Sequence, residues 1–465
     1  MTDILGPVLQ KLDDTTDEAL ERVFELMRIP SISTNPAHHD DCVKAANYCA
    51  DMLKETGFET SVMETTGEPM VVGQYVPDGG QSGPHVLFYG HYDVQPVDPL
   101  DLWDAPPFEP GIVEDKLHGP VIMGRGSSDD KGQLMTFLEA CRAWMDVHGS
   151  LPLRITVLFE GEEECGSPSL PAFLEEHSDK LKADLALVCD TGQWDAKTPA
   201  ITTMLRGLAS IEVVISGPNR DLHSGLYGGP VRNPIRVLTH ILGDLYDDQG
   251  SIQIPGFYDE VMQTSEEQLE QWRNIGFDAQ TFLGGVGLSE AAGEKKYNAL
   301  EQLWARPALE INGIHGGYTG PGSKTVIPES AFAKLSFRLV ANQDPDKVLE
   351  GVKKFVTERL PSDCTAEFKG EHGAPAVKFD QNSASMKASA EALTEEFGVQ
   401  AIMMGCGASI PIVEPFKNEL GMDTLLIGFA LEDDRIHAPN EKYNLSSFKH
   451  GRRAWARIMD KLARL

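Results

Sequence analysis

Apolar positions along the chain keep two rhythms. After Thr16-Asp17-Glu18, the residues Leu20, Val23, Phe24 and Met27 recur at helical spacing and predict a helix that Pro30 ends. A second helix runs to Gly57 with Val43, Ala46, Ala50 and Leu53 inward. Strand-like segments follow at 60–63, 71–76 and 86–89, then a helix carrying Leu134, Phe137, Leu138, Cys141 and Met145 on one face. Apolar runs at 154–159 and 183–189 read as buried strands. Helices alternating with strands in this way predict an α/β sheet whose site lies beyond the strand ends.

From about Leu205 the rhythm changes. A strand over 209–216, a helix over 233–245, strands at 308–312 and 331–340, a helix over 345–360 and a strand near 365–369 follow one another. This order is that of a split βαβ, ferredoxin-like unit. An acidic stretch between its first helix and second strand reads as irregular. Signals of the earlier kind resume after Phe379, so the chain divides into 1–204, an inserted 205–378, and 379–465 that completes the first domain. A final amphipathic helix closes the chain.

Composition narrows the partners. The 465 residues exceed one ordinary core. A formal charge of −31, from 71 acids against 40 bases, argues against a nucleic-acid binder or an anionic-membrane binder. No apolar run approaches the ~20 residues that span a bilayer, and the first residues lack a basic segment followed by an apolar core. A cytoplasmic protein is the expectation. The seven cysteines are scattered, without a C-x-x-C pair, and read as reduced thiols.

Chemistry collects at the ends of the predicted strands. The run 86–94, Val-Leu-Phe-Tyr-Gly-His-Tyr-Asp-Val, places His91 and Asp93 on one side of an extended backbone. That suits a metal ligand with a carboxylate that orients it, although an isolated His-x-Asp is more often a turn with a polar exit from the core. The loop 124–132 contains Asp129 and Asp130, which repel phosphate, and its glycines lack the spacing of a nucleotide-binding loop. The segment 160–167, Glu-Gly-Glu-Glu-Glu-Cys-Gly-Ser, crowds carboxylates at a buried strand end, costly unless solvated or compensated by cations. Asp190 ends another strand, and His437 sits in Ile-His-Ala-Pro-Asn-Glu near the C-terminus. Together His91, Asp129, Glu163, Glu164, Asp190 and His437 make a mixed nitrogen and oxygen set suited to zinc, manganese or cobalt. The acids are too many for one tetrahedral ion.

These motifs, with Asp-Leu-His-Ser-Gly (221–225), Lys-Thr-Val-Ile-Pro (324–328) and Ser-Phe-Arg-Leu-Val (336–340), occur in an order that covers nearly the whole chain. They resemble the dizinc aminoacylase, carboxypeptidase and dipeptidase family, most closely its carnosinase-like dipeptidase branch. The resemblance implies a mixed-sheet α/β catalytic domain with an inserted ferredoxin-like lid that dimerises. It implies two zinc ions per chain, with manganese or cobalt as alternatives. His91 and Asp190 would hold one ion, Glu164 and His437 the other, and Asp129 would bridge them. Asp93 would orient His91, and Glu163 would be the general base for a water activated between the cations. Glu162 would fall outside the site.

His223 resembles the lid histidine that reaches the partner subunit's site. Arg338 resembles a substrate-carboxylate clamp, assisted by Asn312 and Ser409. One departure stands out: Gly405-Cys406 occupies the place of an Arg-Glu pair usual in that branch. The expected reaction is hydrolysis of dipeptides or similar short substrates with a free carboxylate. Deacylation of N-acyl amino acids, desuccinylation or glutamate-carboxypeptidase action is the alternative, and a catalytically dead binding protein is a third reading.

Overall fold

The computed structural model describes residues 3–78, 83–407, 410 and 412–465. It divides into two compact units, one drawn from 1–203, 379–404 and 410–465, the other from 204–378 and 405–407. Among the described residues no helix is long and apolar enough to cross a membrane.

The first unit is built on a mixed sheet. Its strands lie in the order Glu59–Met63, Met70–Tyr75, Ile155–Glu160, Val86–His91, Leu185–Val188, Asp423–Leu426 and Ala200–Leu205. The central four run parallel, and the outer pairings are antiparallel. Val86–His91 and Ile155–Glu160 are buried along their whole length, as expected of strands covered on both faces. Their register sets His91 opposite Glu160, and Val188 pairs with Tyr89. Three chain segments therefore leave the sheet at one edge, beside one another. That edge receives the site.

Aromatic packing clamps helices to this sheet. Phe88, on the strand that ends in His91, stacks on Phe137 of helix Lys131–His148, with ring centroids 3.8 Å apart. Trp455 of helix Leu445–Leu462 lies perpendicular to both rings, with centroids at 5.5 and 5.6 Å. All three side chains are fully buried.

In the second unit the antiparallel strands lie in the order Ala308–Gly316, Ser330–Leu339, Gly207–Ser216, Thr365–Ala374. Numbered along the chain this is 2-3-1-4, the ferredoxin-like order, with helices Pro234–Gly243 and Pro345–Thr357 as the crossovers. Gly207–Ser216 alternates buried and half-buried positions, and Ile211, Val213 and Ile215 meet Leu238, Ile241, Val352 and Phe355 in one core.

Several elements depart from the expected pattern. Helix Leu5–Asp14 was not anticipated, because only Val8 and Leu12 of its surface are buried and the apolar stripe is thin. The hairpin Gly111–Asp115 with Gly119–Met123 is largely exposed and carries little periodic signal. The acidic stretch expected to be irregular contains helices Glu266–Asn274, Ala279–Gly285 and Ala299–Trp304, started by side-chain caps from Ser265, Asp278 and Asn298. Capping starts these helices, and the first and third also bury Trp272 and Trp304, whose rings pack at 5.2 Å.

Replacing Phe137 with alanine should lower the unfolding free energy by about 3–5 kcal/mol, the usual cost of emptying a buried aromatic site. Equilibrium urea denaturation followed by far-ultraviolet circular dichroism reads this directly. A loss below about 1 kcal/mol would mean the stack of Phe88, Phe137 and Trp455 does not anchor these helices.

Candidate metal centre

Each side chain of the first unit's site arrives from a strand end or the loop that follows one. His91 ends its strand and is fully buried. Glu163 and Glu164 open a short 3-10 turn just after Glu160. Asp190 lies just beyond Val188, and Asp129 precedes the helix that starts at Lys131. His437 comes from a loop in which Arg435, His437 and Asn440 all have positive φ, a backbone that non-glycine residues adopt only when their surroundings hold them.

The ligand atoms gather into two groups, His91 with Glu163 and Asp190, and Asp129 with Glu164 and His437. Within each, the potential ligand atoms lie within 4.8 Å of one another. Asp129 joins the groups. Its Oδ1 is 3.1 Å from His91 Nε2, and its Oδ2 is 2.9 Å from His437 Nε2. His437 Nε2 is also 3.1 Å from Glu164 Oε2, and His91 Nε2 is 4.0 Å from Asp190 Oδ1.

A metal fits this arrangement on the chemistry of the donors. His437 Nε2 carries at most one proton, yet it faces oxygens of two carboxylates. One N–H cannot satisfy both acceptors, whereas a cation attracts them all. The set of two imidazoles and several carboxylates, without a thiolate, suits zinc or manganese.

Electrostatics without a cation show the same strain. Burial and the neighbouring Asp190 push the Glu163 carboxyl well up from its ordinary value. Burial also raises Asp190, opposed by His91 and reinforced by Asp129. Burial pushes Asp129 up too, but the hydrogen bonds from His437 and His91 outweigh it and hold that carboxyl well below the usual range. His437, between Asp129 and Glu164, is raised to about 10.

Partners fix the ligands. Asp93 Oδ1 lies 3.3 Å from His91 Nδ1, and the Asp93 carbonyl oxygen lies 3.2 Å from the same nitrogen. Asp93 does more than hold that ring, since its Oδ2 also accepts from the Ser33 hydroxyl at 2.6 Å and the Glu164 amide at 3.0 Å. Gln95 donates its amide N–H to Glu164 Oε1 at 3.1 Å and its side-chain amide to Oε2 at 2.8 Å. Ser33 and Gln95 were missed by sequence reasoning. Gln95 was findable, being two residues past Asp93 with an amide side chain at a ligand-bearing strand end. Ser33 had no such signal. Glu162 instead accepts the backbone amides of Glu68 and Ser169, which occupies its carboxylate in loop closure.

The remaining candidates belong to the second unit. His223 is exposed, and its Nδ1 accepts the Gly225 amide at 3.0 Å. Arg338 is half-buried on Ser330–Leu339, and among the described residues no carboxylate pairs with it. Near it, Arg206 is pushed down to about 10 by burial and by the Arg338 charge. Asn312 is the extra residue of a bulge between Ile311 and Gly313, so its side chain leaves the regular alternation. Ser409 lies outside the described residues.

Residues 87–461 match the model of Peptidase family M20/M25/M40. The chain is 30% identical to the Cys-Gly metallodipeptidase DUG1 of Candida albicans, over 96% of this chain and 95% of that protein. It is 29% identical to the Beta-Ala-His dipeptidase of Homo sapiens, over 99% and 93%. Among solved structures, the di-peptidase Dug1p of Saccharomyces cerevisiae matches with a TM-score of 0.79 at 29% identity, covering 100% of both chains. The M20 family metallo-carboxypeptidase Sso-CP2 of Sulfolobus solfataricus matches with a TM-score of 0.80 at 32% identity, covering 96% of this chain and 100% of that one.

A divalent ion must displace the protons held by His437 and the raised carboxyls, so loading should release protons at neutral pH. Affinity should rise with pH and level off only as His437 loses its proton near its raised value of about 10. Calorimetric titrations of zinc in buffers of different protonation enthalpy count those protons. Binding heats that do not depend on the buffer would contradict a cationic His437.

Proposed function

Because the chain belongs to the peptidase family M20/M25/M40, we propose that it is a dinuclear-metal dipeptidase acting on short peptides with a free C-terminal carboxylate. The observation that carries this reading is the Asp129 carboxylate, which offers one oxygen to each of two ligand groups. In this reading His91 and Asp190 hold one ion, Glu164 and His437 the other, and Asp129 bridges. Two such ions supply polarisation of the scissile carbonyl and a lowered pKa for the attacking water.

The chain's own groups do the rest. Glu163, which lies within the group of His91 and Asp190, is assigned as the base: its Oε takes a proton from the attacking water and passes it to the leaving amine. Burial beside Asp190 favours its protonated form, and nearby cations oppose that, which brings it toward the range a base needs. Asp93 holds His91 by its Nδ1 and, through the Glu164 amide, links the two ligand groups. Arg338, with no carboxylate paired to it among the described residues, is a natural partner for the substrate's terminal carboxylate. Asn312 and Ser409 assist it.

The second unit is assigned as lid and dimerisation domain, with the exposed His223 reaching the partner subunit's site. The seven cysteines are free thiols, which supports a reducing, cytoplasmic setting. The similarity to a metallo-carboxypeptidase keeps removal of C-terminal residues from longer substrates as a second reading.

Glu163→Gln should retain two metal ions per chain while losing about 10²–10⁴-fold in kcat, the usual worth of a general base. Substantial remaining turnover would remove Glu163 from that role. A hydrolysis screen of dipeptides, longer peptides and N-acyl amino acids, with and without chelator, should show chelator-sensitive cleavage of dipeptides first. Preference for N-acyl amino acids would replace the dipeptidase reading by deacylation.

For His223, mixing inactive His223→Ala and Glu163→Gln subunits should restore part of the activity, since each heterodimer carries one intact composite site. Confirmed heterodimers without recovery would place His223 outside the partner's chemistry.

A further inference from the structure

Asp129 has the most demanding position in the centre, yet its side chain has no partner among the described residues besides the two histidines. A bridging carboxylate must be aimed to within about half an ångström, so its backbone has to be held from elsewhere. The holder is Glu441, a carboxylate with no exposed surface. Glu441 Oε1 accepts the backbone amides of Ser128 at 2.9 Å and Asp129 at 3.1 Å. Its Oε2 accepts the Gly126 amide at 3.0 Å and Arg125 Nη1 at 2.7 Å. Each oxygen thus takes two donors, which fills the acceptor capacity of an ionised carboxylate.

The same residue fixes the other histidine's loop. Glu441 is four residues beyond His437, its carbonyl accepts the Gly124 amide at 3.0 Å, and the strand Lys442–Asn444 that follows pairs with Gly119–Met123. Arg125 extends the tie, donating Nη2 to the Pro96 carbonyl at 2.9 Å, directly after the Gln95 that holds Glu164. One side chain therefore locks the loop of the bridging ligand to the loop of His437, and through Arg125 to the segment beside His91.

We infer that Glu441 is the positioning residue of the dinuclear centre, setting the aim of Asp129 and His437 together, so that it governs the affinity of both ions without touching either. This rests on the dinuclear reading above.

Glu441→Gln keeps the size but turns one acceptor oxygen into a donor facing amides or a guanidinium. Cobalt titration of the folded variant should show both dissociation constants raised about 10–100-fold, the usual cost of removing a group that orients ligands, with an altered visible spectrum of the cobalt-loaded protein. Glu396→Gln is the control. It removes a buried carboxylate that pairs with His450, Arg453 and Arg457, none of them a ligand. It should lower thermal stability while leaving cobalt affinity and spectrum as in wild type.

Wild-type affinity and spectrum in folded Glu441→Gln would overturn the inference. So would equal weakening of cobalt binding in Glu396→Gln, since general loosening would then explain it. Should Glu441→Gln not fold, Glu441→Asp retains the charge but is one methylene too short to reach the amides and Arg125 together, and the same two outcomes apply. Fewer than two ions in wild type would instead remove the dinuclear reading, a failure visible without any variant.

Discussion

Like charges placed within hydrogen-bond distance in a poorly hydrated site repel strongly, and around Asp129 the chain places several carboxyl groups and only two imidazoles. Such a cluster persists where protons or cations divide the charge among the acids. The raised Glu163, Asp190 and His437 are the form this takes with protons alone. Metal ions answer the same constraint and leave the carboxylates ionised. The composition of the site is thus intelligible as a receptacle for positive charge before any reaction is considered.

That receptacle depends on rigid surroundings. The parallel register brings His91, the turn after Glu160 and Asp190 to one sheet edge. Stacked rings behind the strand keep that edge in place. The two remaining ligands come from loops far apart in the chain, and these are held by hydrogen bonds to backbone rather than by packing. Glu441 caps the amides of one loop, and Asp434 accepts the Leu431 amide at 2.8 Å in the other while also taking Ser128 Oγ at 2.8 Å. Backbone amides aimed at a buried carboxylate cannot rotate away as long side chains can. This suits a site in which small shifts of a ligand cost affinity.

The second unit solves a different problem. Its antiparallel sheet buries one face under two helices, while the other face carries polar side chains, including Arg338. A guanidinium on a strand without a carboxylate partner is seldom a gain for stability, because it gives up hydration without compensation. A residue of this kind makes physical sense as a receptor for an anionic group brought by a ligand.

Strand and helix rhythms are local properties of the chain, so the alternating α/β elements and the strand-helix-strand-strand-helix-strand sequence were readable from periodicity, while the 2-3-1-4 strand order came only with the tertiary structure. Candidate ligands were legible in part: His91, Glu163, Glu164 and Asp190 follow apolar runs, where a polar group calls for a reason, whereas Asp129 and His437 stand in polar loops and were singled out by their motifs. What linear spacing does not contain is convergence. The contacts of Asp129 with His91, 38 residues away, and with His437, more than three hundred residues away, arise only when these segments meet at one sheet edge. Glu441 shows the limit most clearly. It was visible as the last letter of a motif, but its work is done on backbone amides of residues 126–129, and hydrogen bonds to backbone leave no trace in the side-chain pattern.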